Sequence, residues 1–180
     1  MKPTLYCFLL IVFAVAVTAL RAPGKTYRCL PCGQACDNKV LTAPGKCSAC
    51  NMKLVESESI TFKTLTFADV CQRLKNNKNV LLLDVRSPGE FNNTSSRNAY
   101  GKFKNAVNIN VTELEDRVGE LSAYKNKEVI VYCSHSHRSP QASYFLSTHG
   151  FTNVANVAGG VSELPGDAAV PCLKDAVVRY

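Results

Sequence analysis

With 180 residues, the chain is long enough for one ordinary domain and a small additional module. A hydrophobic share of 46% with 19% charged residues is that of a globular protein and excludes a disordered or fibrous chain. The net charge of +7 is dispersed, with no run of lysine and arginine interleaved with aromatics; that argues against a nucleic-acid partner and suits a small anionic substrate.

Residues 1–22 read as an export signal. Lys2 gives a positive start, Leu5 to Val17 is almost wholly apolar, and Ala16, Ala19 and Ala22 offer small-residue cleavage sites. The apolar run is short for a membrane span, which needs about 20 residues, so a membrane is expected only through an uncleaved anchor. The expected mature chain begins near Pro23 and is periplasmic or secreted, where disulfides are permitted.

Residues 23–56 form a Cys-rich stretch. Two Cys-x2-Cys pairs, Cys29/Cys32 and Cys47/Cys50, flank a turn at Pro44-Gly45. Each pair can hold one edge of a tetrahedral ion, which predicts a small zinc-ribbon-like module stapled by metal or, alternatively, by disulfides. Four thiolates favour Zn(II) or Cu(I) over hard ions. Cys36 is left over, either a fifth ligand or a free thiol. Tyr27-x-Cys29-x-Pro31 and Pro44-Gly45-Lys46-Cys47-x-x-Cys50-x-Met52-x-Leu54 resemble the short heavy-metal-binding modules of bacterial copper- and zinc-handling proteins. That resemblance implies Cys29, Cys32, Cys47 and Cys50 as ligands, with Cys32 standing where the family usually has histidine. The polar run Glu56 to Ser59 reads as a hinge, which predicts one metal ion bound independently of sulfur transfer.

From residue 59 to 165 the periodicity alternates between strand and helix. Ile60 to Phe62 reads as an edge strand. Thr66 and Asp69 form a capping-box-like start to a helix whose buried face is Phe67, Val70, Cys71 and Leu74, with Cys71 a core thiol. Val80 to Asp84 is a continuous apolar run, as in a central parallel strand. Ala106 to Ile109 is a short strand, and Thr112-x-x-Glu115 a capping box for a helix with Leu114, Val118 and Leu121 inward. Val129 to Tyr132 is a buried strand, and Val154 to Val157 the last. This order predicts an α/β domain with a parallel sheet flanked by helices and a site at the carboxyl ends of the strands.

Cys133 stands at such an end. The loop Ser134-His135-Ser136-His137-Arg138 comes next, then a helix with Ser139 as N-cap, Pro140 at its first position and Gly150 as its stop. Loop amides and the helix start make an anion cradle in which a thiolate is favoured, so Cys133 is the expected nucleophile and Arg138 the closing cation. His135 and His137 either contact substrate oxygens and move a proton or are solvated loop positions. Asp84 either orients Arg138 or Arg86 or caps its strand, and Arg86 is its ion-pair partner or a substrate contact. Residues 166–180 are a tail in which Cys172 is a free thiol or pairs with another cysteine.

The chain from about Ile60 to Leu164 resembles a single-domain rhodanese (sulfurtransferase). The shared features are Leu83-Asp84-Val85-Arg86 with Pro88-x-Glu90-Phe91, then Gly101 followed by Asn105 to Ile109, the Cys133–Arg138 loop and Ala158-Gly159-Gly160. By resemblance, Cys133 accepts a sulfane sulfur from thiosulfate or polysulfide and holds it as a persulfide. The acceptor is cyanide, a small thiol or a protein thiol, and no cofactor serves the transfer. Lys102 stands where the family usually has histidine. Two other classes are kept open: a non-catalytic metal-binding or redox protein using this fold as a carrier, and a phosphatase, which needs a loop one residue longer than Cys133 to Arg138.

Overall fold

The computed structural model describes residues 24–95 and 100–180. The expected export signal lies outside the described residues, and among these no helix is long and apolar enough to cross a membrane.

Five strands make one all-parallel sheet: β4 (Lys63–Leu65), β5 (Leu81–Asp84), β7 (Val107–Asn108), β8 (Glu128–Tyr132) and β9 (Asn153–Val157). The order across the sheet is β4-β9-β8-β5-β7, which puts β8 in the centre. Side chains alternate across the pleat, so each central strand serves two cores. Leu81, Leu83, Val129 and Val131 face one core, which takes Ala142 and Leu146 from helix α4 (Arg138–Thr148). Leu82, Ile130 and Tyr132 face the other, which takes Phe67 and Val70 from helix α1 (Phe67–Asn76). Burial on both faces is why these strands read as unbroken apolar runs.

Local chemistry sets the helix boundaries. The Thr66–Asp69 capping box is present in both directions and starts α1. Ser87 and Glu90 form a second capping box, with Pro88 in the first turn, on the short helix α2 (Pro88–Phe91). Gly150 adopts φ +88° just after α4 ends, as a left-handed stop requires.

Three expected elements differ. The edge strand is Lys63–Leu65 rather than 60–62, because Ile60 closes a turn onto Ser57 O and Phe62 is buried in the core. Thr112 caps nothing. Asn110 makes the turn instead, accepting from Thr112 N and Glu113 N, and helix α3 (Leu114–Arg117) starts without a side-chain cap. Ser139 does not cap α4, which begins at Arg138 behind His137; Ser139 is fully buried.

The N-terminal stretch is a three-stranded antiparallel sheet of β1 (Tyr27–Arg28), β2 (Val40–Leu41) and β3 (Val55–Glu56), in the order β2-β1-β3. Its interior is made of Cys29, Cys32, Cys36, Cys47, Met52 and Leu54. Its Leu30 leaves that interior and packs, 4% exposed, into the core shared by Val85 and Cys133. The run expected as a hinge forms a 3-10 turn at Ser57–Ser59, and Ser59 Oγ lies 3.0 Å from the Tyr144 hydroxyl on α4. The stretch is docked rather than loosely tethered.

The tail is anchored too. Helix α5 (Leu173–Ala176) buries Leu173, and β10 (Val177–Val178) pairs antiparallel with β6 (Lys102–Phe103). Cys172 is disulfide-bonded to Cys71, the second of its two expected fates, and Cys71 lies in the core as expected but as half of a disulfide rather than a thiol. The bond closes a loop of 101 residues, so opening it releases considerable chain entropy in the unfolded state. Cys172→Ser should lower the unfolding free energy by about 2–4 kcal/mol, as measured by urea denaturation, and should abolish the response of stability to reductant.

Candidate functional site

Cys133 comes directly after the last residue of β8 and faces the α4 core, fully buried. The loop after it is shaped from three sides. Val161 N donates to Cys133 O and Ser162 N to Ser134 O, both at 2.9 Å. Gly160 has φ +67°, and a Cβ there would lie 2.4 Å from Ser134 O, so only glycine permits this approach. Because a trans peptide points its N–H opposite its C=O, tying down these carbonyls turns the amides of Ser134 and His135 the other way. Ser136 adopts φ +50°, held by Ser136 Oγ donating to Val157 O at 3.2 Å, while Asn156 Nδ2 donates to Ser136 Oγ at 3.0 Å. A left-handed residue amid right-handed ones is the geometry of an anion-binding nest.

Arg138 closes the loop. Its guanidinium donates to both carboxylate oxygens of Glu90 at 2.7 Å and to Ser134 Oγ at 2.7 Å, so one side chain ties α2 to both ends of the loop. The Glu90 hydrogen bonds hold Arg138 above its usual pKa against the effect of burial, with a smaller contribution from Cys133. Arg138 in turn lowers the Glu90 carboxyl to about 2, against opposing desolvation and with help from Ser87. With its charge matched by Glu90, Arg138 shapes the cradle, and the amides supply much of the positive potential. Ser139 Oγ donates to Cys133 Sγ at 3.3 Å. His135 is exposed and its Nε2 lies 3.3 Å from the Tyr100 hydroxyl; His137 is exposed beside it. A cavity of about 230 Å³, lined by Tyr100, Gly101, Val161, Ser162, Leu164, Arg179 and Tyr180, adjoins the loop.

Asp84 and Arg86 make the ion pair that was one of their expected roles, and they do not serve as the expected substrate contacts. Asp84 registers with Tyr132, one residue before Cys133, so it projects from the opposite face of the sheet. Arg86 Nε donates to both Asp84 oxygens at 3.0 Å, and Arg86 Nη2 donates to Asp84 Oδ2 at 2.7 Å and to Gly101 O at 3.3 Å. Both residues are fully buried, and the hydrogen bonds of Arg86 run to Asp84 and to the Tyr100 and Gly101 carbonyls rather than to Cys133. Desolvation and the Asp84 charge push the neighbouring Tyr132 hydroxyl well above its usual pKa. Lys102 sits with Nζ 3.7 Å from the centre of the Phe91 ring.

In the sequence Glu90 stands only in the family motif, Ser139 only as a helix cap, and Asn156 carries no signal. Ser87-x-x-Glu90 was legible as a capping box, but nothing local announces that the capping carboxylate also receives Arg138, 48 residues away. Ser139 looked like a cap because Ser-Pro precedes so many helices.

The thiol cluster holds a different set from the one expected. The sulfurs of Cys29, Cys36, Cys47 and Cys50 lie within 4.8 Å of one another, with Cys29 and Cys50 at 3.1 Å. Cys32 is replaced by Cys36 because Asp37 accepts from the amides of Cys32 and Gly33 and from the Cys32 thiol, while the 3-10 turn Ala35–Asn38 folds Cys36 inward. Burial raises the Cys29 and Cys36 thiols and pushes Cys32 up to about 12. At Cys47, desolvation opposes ionisation, but the amides of Cys50 and Ala49 and neighbouring thiols outweigh it, lowering the thiol to about 7. Sulfurs on a tetrahedral ion with 2.3 Å bonds are spaced by about 3.8 Å, so this set fits a soft ion after a small spreading of Cys29 from Cys50.

The family model for the rhodanese-like domain matches residues 67–164, and the chain belongs to that family. A sulfurtransferase of Allochromatium vinosum is 32% identical over 90 residues, covering 50% of this chain and 76% of that protein. A thiosulfate:glutathione sulfurtransferase of Saccharomyces cerevisiae is 29% identical, covering 49% of this chain and 67% of that one. The tRNA uridine(34) hydroxylase of Buchnera aphidicola is 31% identical over 110 residues, 59% of this chain, which spans only 33% of that longer protein. Among solved structures, a rhodanese-related protein from Thermoplasma volcanium is 28% identical with a TM-score of 0.47, covering 65% of this chain and 98% of that one.

The Arg138–Glu90 pair makes stability depend on pH in a definite direction. A carboxyl lowered from 4.5 to about 2 contributes stability fully above its ordinary value and loses it as the pH falls toward 2. Wild type should exceed Glu90→Gln by up to about 3 kcal/mol at neutral pH, with the gap closing between pH 4.5 and 2 in acid denaturation curves.

Proposed function

We propose that the chain is a sulfurtransferase that carries a sulfane sulfur on Cys133. The observation that carries this reading is the thiol at the end of β8, beneath a loop whose carbonyls are tied to Val161 and Ser162 and whose amides face the other way. The Cys133 thiolate attacks the outer sulfur of thiosulfate or a polysulfide. The S–S bond breaks, its electron pair leaves with sulfite or the shortened chain, and Cys133 becomes a persulfide. Amides of the loop hold the incoming anion and the persulfide anion, and Ser139 donates to the inner sulfur. An acceptor such as cyanide, a small thiol or a protein thiol then attacks the terminal sulfur and returns the thiolate. A loop with four residues between Cys133 and Arg138 is sized for sulfur rather than a phosphate ester. The dispersed charge of +7 supports an anionic donor, and the apolar start at residues 1–22 supports an exported protein.

The thiol cluster is read as a site for one Zn(II) or Cu(I) on Cys29, Cys36, Cys47 and Cys50, an ion that supplies a structural staple and does not touch the transferred sulfur.

Intact-mass analysis after thiosulfate treatment should show one added sulfur on wild type and none on Cys133→Ser; a serine variant that still takes up sulfur moves the reaction to another thiol. Arg138→Lys keeps charge but loses the fork to Glu90 and Ser134, and should reduce kcat/KM for thiosulfate:cyanide transfer by about tenfold or more. Protein purified under reducing conditions should carry about one ion per chain, lost in Cys47→Ser/Cys50→Ser and in Cys36→Ser but retained in Cys32→Ser. Finding two disulfides and no metal in the native protein would sink the metal assignment.

A further inference from the structure

The segment between Cys29 and Cys36 does two things at once. Its ends carry two sulfurs of the thiol cluster, and its middle touches the domain that holds Cys133. Leu30 is buried in the same core as Cys133. Two contacts then run from this segment to the loop after Cys133. In the first, Pro31 O accepts from Asn156 Nδ2 at 3.4 Å, and the same Nδ2 donates to Ser136 Oγ at 3.0 Å. That bond bears on the loop residue whose backbone is left-handed. In the second, Gly33, at φ +89°, lies against Ala158 so closely that a Cβ on it would be 2.8 Å from the Ala158 Cβ. Ala158 leads through Gly159 into Gly160, which abuts the Cys133 and Ser134 carbonyls.

Asn156 is a singular choice for its place. It is fully buried in β9, and its Oδ1 has no hydrogen-bond partner. An amide with an unpaired oxygen inside a sheet is destabilising relative to an apolar residue. What the amide supplies in return is a donor that reaches both Pro31 and Ser136.

Resting on the sulfurtransferase reading above, we propose that a metal ion in the thiol cluster sets the shape of the Cys133 loop, with Asn156 as the positioning residue that transmits it. The N-terminal stretch has an interior of cysteines, Met52 and Leu54, too little to hold itself folded without a staple. An ion that binds only the folded arrangement draws the equilibrium toward it. Closing the 29–36 loop through Cys29 and Cys36 fixes Leu30, Pro31 and Gly33 against the sheet. Losing the ion frees them, and Ser136 and the Gly160 turn lose their backing. Sulfur transfer is then governed by metal supply or by oxidation of the cluster thiols, although no ligand of the ion belongs to the cradle.

The test uses full-length protein loaded with Zn(II), stripped by chelator and desalted under reductant, then reloaded. Deuterium uptake in peptides covering 133–138, metal content and thiosulfate:cyanide kinetics are measured together. Stripping should raise exchange in 133–138 and lower kcat by about tenfold, coupling of the size commonly transmitted between linked sites, and reloading should restore both. Asn156→Ala should keep its ion yet show raised loop exchange while loaded, and stripping it should add less than stripping wild type. Unchanged loop exchange and kcat on metal loss overturns the proposal, as does a wild type that takes up no ion or an Asn156→Ala indistinguishable from wild type. A wild type that gains no sulfur on Cys133 defeats the sulfurtransferase reading instead, and the exchange measurement still decides the coupling.

Discussion

The close approach of Gly160 to the first two loop carbonyls is the constraint on which the Cys133 site depends. A peptide unit is rigid, so fixing its C=O fixes its N–H. Val161 and Ser162 hold the carbonyls of Cys133 and Ser134, and the next amides along the chain are thereby aimed without any side chain being spent on them. The approach works only because Gly160 carries no Cβ and accepts φ +67°. Preorganised amides of this kind stabilise developing negative charge with little reorganisation, which is what a sulfur-transfer site needs for its anionic reactants.

The pleat then divides the labour at the end of the sheet. Cys133 turns to the α4 face, while Tyr132 and Asp84 turn to the other, where Arg86 meets them. A buried Arg–Asp pair is at best roughly neutral against an apolar alternative, so its stability contribution is not the reason to have it. Its geometry is informative: Arg86 reaches the carbonyls of Tyr100 and Gly101 at 3.5 and 3.3 Å. Those residues line the cavity beside the loop, and Tyr100 meets His135. The pair thus fixes the rim of the site from below while taking no part in the chemistry.

Much of this was legible in the sequence because the sheet is buried on both faces. Unbroken apolar runs at 80–84 and 129–132 located the central strands to within a residue, and Cys133 at the end of one of them located the site. Parity was the piece left unused. Counting alternate residues back from Cys133 separates it from Tyr132, and the register puts Asp84 beside Tyr132, which removes Asp84 and Arg86 from the substrate contacts. The register itself was not legible, because pairing is a tertiary property. The cluster shows the opposite failure. Cys-x2-Cys spacing favoured Cys32, but Asp37, five residues on, captures the Cys32 and Gly33 amides and the Cys32 thiol, so that sulfur sits beside Cys36 and Asp37 and is not among the four mutually close ones. Cys36, beyond Cys29 and its first turn, had no spacing rule to recommend it. The docking of Leu30 was hidden for a simpler reason: one leucine in a polar stretch looks like part of its own small core.

The described cysteines fall into four chemical environments, with Cys32 apart on Asp37, and the differences among the rest bear on how they coexist. Cys71 and Cys172 form a disulfide between α1 and the tail, 101 residues apart in sequence. Cys133 is a single thiol with a hydroxyl donor at 3.3 Å and no second sulfur beside it among the described residues. The cluster is the vulnerable group, since Cys29 and Cys50 stand 3.1 Å apart and Cys47 is lowered to about 7. Under conditions that oxidise Cys71 and Cys172, a partly ionised thiol among three close neighbours also oxidises unless its electron pairs are engaged. A soft ion on this cluster would engage all four at once and hold them as thiolates while the disulfide forms elsewhere. Retention of one disulfide and four reduced cluster sulfurs in a single chain is therefore easier to understand for the metal-bound protein than for the bare one.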